Sequence, residues 1–76
     1  MKTAISLGGF RWRKATDINR EFALFELVKD DKQAILDIGF SDDGNLEISF
    51  NHEIILNWSE LLEAVERGRL LAEADR

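Results

Sequence analysis

The sequence predicts an α+β fold, an antiparallel β-meander of three to five strands with one C-terminal α-helix packed on one face. Two alternating runs, QAILDIGF (33–40) and NLEISF (45–50), carry the strand period of two and are joined by a short acidic tip. A third observation is the run from Asn57 to Arg76, which has helical spacing and no strong breaker. With 76 residues the chain makes one domain, 1–76. At this size only about 60% of the unfolded surface is buried on folding, so the core is small. No Cys is present, so neither a disulfide nor a thiolate metal site reinforces it.

The first residues, MKTAISLGGFRWRK, imitate a secretion signal, but Ser6, Gly8 and Gly9 dilute the apolar run and Arg11 ends it. A signal needs roughly 7–15 apolar residues there. No run approaches the ~20 residues of a membrane span, so a cytoplasmic protein with no membrane partner is expected. Ile5, Leu7, Phe10 and Trp12 suggest a further strand, and the aromatic–basic alternation of Phe10-Arg11-Trp12-Arg13-Lys14 suits a half-exposed edge. Aromatic and basic residues together are also what single-strand binders use. The patch is short and the isoelectric point is about 4.7, so no direct nucleic-acid binding is expected.

Residues 22–29 (FALFELVK) read as the next strand, and Lys29-Asp30-Asp31-Lys32 as a short hairpin into residue 33. Placing Phe25 and Leu27 on the core face pairs Leu27 with Ala34 and Phe25 with Leu36; the opposite choice would bury Glu26. The outer face then carries Phe22, Leu24, Val28 and Ile35 with Glu26, Asp37, Glu47 and Ser49, an apolar mix for a solvated sheet face.

In the following hairpin, residues directly opposite share a face, so matching the two apolar sets requires an odd loop. Asp42-Asp43-Gly44 supplies three residues, pairing Phe40 with Leu46, Ile38 with Ile48 and Leu36 with Phe50. Such loops want a left-handed residue last, and Gly44 stands there. His52 to Leu56 suggests a short strand. Asn57-Trp58-Ser59-Glu60 fits a capping box, with Leu56 and Leu61 as its staple. Trp58, Leu61, Leu62, Val65, Gly68 and Ala72 then share one face, while Leu70 and Leu71 fall off it. Gly68 weakens the helix by about 1 kcal/mol relative to Ala, which a bulky sheet residue needing that space would explain.

The acidic tip is a turn before it is chemistry. An EF-hand register with Gly44 at the sixth position puts Gly39 first and Phe50 last, and neither offers a side-chain ligand. A single His and no Cys exclude Cys–His and three-His sites. No phosphate-cradling or nucleophile-elbow motif occurs. A chain this short has little material for a cleft around a carboxylate pair. No catalysis, metal or cofactor is expected.

Charge is unevenly placed. Residues 1–29 carry six Lys/Arg and three Asp/Glu, whereas residues 30–76 carry four and twelve. An apolar patch rimmed by carboxylates suits an interaction site for a basic partner, such as an enzyme that grips nucleic acid. The run ILDIGFSDDGNLEISF followed by NWSELLEAVERGRLLAE resembles the small acidic immunity proteins found beside bacterial toxins. That resemblance implies a toxin-neutralising protein with no catalysis of its own. The expected partner-binding residues are Leu24, Glu26, Ile35, Asp37, Glu47, Asp42 and Asp43. Two alternatives share this surface: a phage-encoded inhibitor, such as an anti-CRISPR protein, acting as a nucleic-acid mimic, and a homodimer closed by the outer face.

Overall fold

Alternation along the chain is realised as one antiparallel sheet of order β2-β3-β4-β5, formed by β2 (Arg11–Ala15), β3 (Leu24–Val28), β4 (Leu36–Phe40) and β5 (Leu46–Phe50). A two-residue parallel pair, β1 (Thr3–Ala4) with β6 (Ile54–Ile55), forms separately, and α1 (Trp58–Asp75) packs on β3 and β4. The computed structural model describes residues 3–29, 33–51 and 53–76. The Asp30–Lys32 part of the expected hairpin and His52 lie outside the described residues. The α+β class with an antiparallel meander and one C-terminal helix is therefore the fold of this chain, and Arg11–Ala15 is its β2 edge, while Ile5, Leu7 and Phe10 of the expected N-terminal strand lie outside it.

The β4–β5 hairpin has the expected register: Phe40 faces Leu46, Ile38 faces Ile48 and Leu36 faces Phe50. Gly44 closes the loop at φ 86°, and Ser41 brackets it by donating to the Asn45 carbonyl at 2.8 Å. The β3–β4 register differs from expectation by two residues. Leu27 faces Leu36 and Phe25 faces Ile38. The parity is kept, so the core face is right, but the connection is longer. The Ile35 amide donates to the Leu27 carbonyl at 3.1 Å, one place out of step with the Leu27–Leu36 pair. This is the geometry of a bulge, which gives a bent strand and a locally broken alternation. Ala34, Ile35 and Leu36 are accordingly all buried.

The core has two lobes. Phe25, Ile38, Phe40 and Ala72 form one, with Trp12, Phe22 and Val65 against it. Leu27, Ile35 and Leu36 form the other, closed by Ile5, Leu7, Phe10 and Leu61. Removing a side chain such as Leu36, fully buried here, from water stabilises the fold by roughly 1.5–3 kcal/mol.

The helix begins where its cap predicts, with the Asn57 side chain accepting from the Glu60 amide at 3.2 Å. Glu60 does not complete the box. Its carboxylate accepts instead from the Ser6 hydroxyl and the Leu7 amide, both at 3.4 Å, and so holds the N-terminal segment down. Gly68 is buried because a side chain there would meet the Trp12 ring, at 2.6 Å from Cη2. The expected helix face is otherwise too wide. Gly68 and Ala72 are buried and Leu61 and Val65 half-buried, but Trp58 is 70% exposed and Leu62 is also exposed.

Candidate functional site

The outer sheet face differs from the expected apolar patch. Ile35 and Val28 are buried, Phe22 stacks edge-on to Phe40 at 6.2 Å, and Leu24 is half-buried over Gly39. Of the expected apolar contacts, Ile35 therefore has little exposed surface to offer; the bulge turns it into the second core lobe. A homodimer closed by Leu24 and Ile35 loses its planned anchor for the same reason.

The expected carboxylates do share that face. Glu26 faces Asp37 across β3 and β4, and Glu47 faces Gly39. Cations of the chain itself temper them. Arg13, opposite Glu26, donates to its carboxylate from Nε at 3.2 Å and from Nη2 at 2.8 Å. Burial, and next the Glu26 charge, push the Asp37 carboxyl above its ordinary range, while Arg20 pulls the other way. Arg20, Leu24, Asp37, Gly39, Glu47 and Ser49 line one shallow dent there.

Asp42 and Asp43 stand at the hairpin tip. Asp42 has a structural partner, accepting from the Glu21 amide at 3.3 Å, and this ties the tip to the loop before β3. Asp43 is exposed. Among the described residues no three His, Cys, Asp or Glu side chains gather to hold a metal ion, and no helix is long and apolar enough to cross a membrane.

The apolar surface lies on the other side of the sheet, at its β5 edge. Leu46, Ile48 and Phe50 share the helix-facing side with Phe40, Ile38 and Leu36, the residues directly opposite them. The β4 members of these pairs are 5%, 2% and 0% exposed; the β5 members are 37%, 41% and 48% exposed. An α-helix is about 10 Å across and strands lie about 4.8 Å apart, so one helix roofs about two strands. Here it roofs β3 and β4. On the β2 flank, Trp12 tucks under Gly68, Lys14 reaches Asp75 at 2.6 Å and Glu60 holds Leu7. By helical phase Trp58, Leu62 and Arg69 lie on the flank away from Gly68 and Asp75, in line with Arg76, which sits 4.5 Å over the Phe40 ring. Arg69 is engaged by Glu66 and Glu73.

The backbone of β5 is open as well. Ser41 donates to Asn45 and Asn51 donates to Ile35, which makes the odd positions of this strand the ones bonded to β4. The N–H and C=O groups of Leu46, Ile48 and Phe50 therefore point away from the sheet, and β5 is its last strand.

A sequence signal for this edge exists. Residues 33–66 hold eight Asp/Glu and no Lys or Arg. Within that stretch the apolar row of β5 is preceded by Asp42 and Asp43, backed by Glu47 and followed by Glu53. The chain matches no family model, no curated protein and no solved structure.

Proposed function

We propose that this chain is a non-catalytic protein-binding inhibitor of the immunity type, which neutralises a basic, nuclease-like toxin by masking its nucleic-acid-binding surface. One observation carries the reading: the cation-free stretch 33–66 contains an exposed edge strand, β5, whose apolar row, Leu46, Ile48 and Phe50, has Asp42, Asp43, Glu47 and Glu53 around it in sequence. Exposed apolar area surrounded by polar groups marks interaction sites, and an excess of one charge around it steers an oppositely charged partner. A toxin that grips nucleic acid presents a basic surface of matching sign. The expected binding set moves accordingly. Asp42, Asp43 and Glu47, on the hairpin tip and the edge strand, stay within it, while Glu26 and Asp37 lie on the inner strands β3 and β4, away from the edge.

The test is co-expression with the protein encoded beside this gene in the native host, scoring survival and nuclease activity. Wild type is expected to protect, with association slowing steeply as salt rises. Asp43→Lys, Glu47→Lys and Glu53→Lys combined are expected to abolish protection. A triple variant that stays folded and protects as well as wild type would overturn the proposal.

A further inference from the structure

Resting on that reading, we infer that the basic partner docks by adding an antiparallel β-strand to the free edge of β5. Three observations converge on this one occupant. First, Leu46, Ile48 and Phe50 offer donors and acceptors in the alternation that an antiparallel strand requires, two hydrogen bonds for each facing pair. Second, the same three residues carry the unroofed apolar side chains, so a strand paired there lays its own apolar residues beside them on the side toward Trp58 and Leu62. Third, the residues between them on the opposite face are Glu47 and Ser49, within a stretch devoid of Lys and Arg, so the incoming strand is matched by a cation opposite the Glu47 carboxylate. The recognised segment is therefore extended, with apolar and basic residues alternating. A second copy of this chain is a poor occupant, because it would bring a second cation-free acidic stretch to the same edge.

Strand addition draws affinity from main-chain bonds and specificity from alternate side chains, which fixes the experiment. The probe is a blocked heptapeptide alternating Lys and Val, compared with one alternating Glu and Val and with one of four Lys followed by three Val. Amide hydrogen exchange is followed by NMR. In the free protein the Leu46, Ile48 and Phe50 amides are expected to exchange fast. The alternating basic peptide is expected to protect all three, and the other two peptides are not. Ile48→Pro removes an outward N–H and leaves the β4 ladder intact, because edge strands accept Pro where the N–H faces solvent. It is expected to weaken the peptide roughly tenfold or more. Glu47→Lys keeps the whole edge and is expected to weaken the basic peptide as well.

Protection absent with the basic peptide, or equal with the block or acidic peptide, would overturn strand addition. So would a concentration-dependent dimer of the free protein with those amides already protected, since the occupant would then be a second copy. The toxin assay separates this inference from the function it rests on. If Ile48→Pro still protects cells while the triple charge reversal does not, strand addition fails and the inhibitor reading stands. If both variants protect fully, the inhibitor reading fails.

Discussion

Gly68 shows how one residue registers the packing of a whole face. It was legible as an anomaly, a helix-weakening residue in mid-stripe, and the structure supplies its reason in Trp12. Gly68→Ala gains about 1 kcal/mol of helix propensity. Its new methyl would lie 2.6 Å from Trp12 Cη2 and 2.9 Å from Ile38 Cγ2, and overpacking of this kind loses about 1–3 kcal/mol. The expected result is a net loss of stability, of order 1 kcal/mol, in urea unfolding. Adding Trp12→Phe, which clears space, should return part of it. Asp37 couples folding to pH. Its folded-state value lies above the ordinary 3.8, so the native chain holds that proton more tightly than the unfolded chain does. Its contribution to stability is fully present below the unfolded value and is lost as pH rises through the raised folded value. Asp37→Asn stays neutral throughout. Its urea midpoint is therefore expected to rise relative to wild type as pH climbs from about 4 to about 7. A difference that stays constant with pH would show that this ionisation is uncoupled from folding. Ile35 could not be read at all, because its burial follows from a bulge that the strand period does not encode.

Among the elements, the β4–β5 hairpin was readable to the last pair because two strict constraints meet in it. Apolar parity demands an odd loop, and a three-residue loop demands a left-handed final residue. Gly44→Ala is expected to lose about 1 kcal/mol through backbone strain at φ 86°. The space around a Cβ there is ordinary, with Arg76 Nη2 the nearest atom at 3.5 Å, so the loss is conformational rather than steric. Gly44→Asn, which tolerates that region better, should lose less in the same unfolding assay. The β3–β4 connection lacked a matching constraint. Its loop carries no residue that demands one length, so parity gave the face while the register slipped by two residues. The cap was half legible. Asn57 has one local partner to find, whereas Glu60 can bond to any donor within reach and finds the N-terminal segment.

At the scale of the molecule, charge segregation was visible in the sequence, but the location of the apolar surface was not. A helical stripe and a strand alternation are each one-dimensional signals. Neither says how far one helix extends across four strands, or toward which edge it leans. The helix rests on β4 and β3, with Trp12 reaching under Gly68 and Lys14 reaching Asp75 from β2, so β5 stays uncovered and the site moves from the outer face to the edge. That uncovered edge also bears on how the protein behaves in a concentrated solution. A flat strand end with an apolar row is a seed for sheet-to-sheet stacking between molecules, and only mutual repulsion of like-charged chains opposes it. With a net charge of −5 and an isoelectric point near 4.7, that repulsion fades in mild acid. The surface that suits a basic partner at neutral pH becomes, near pH 5, the route by which the protein comes out of solution.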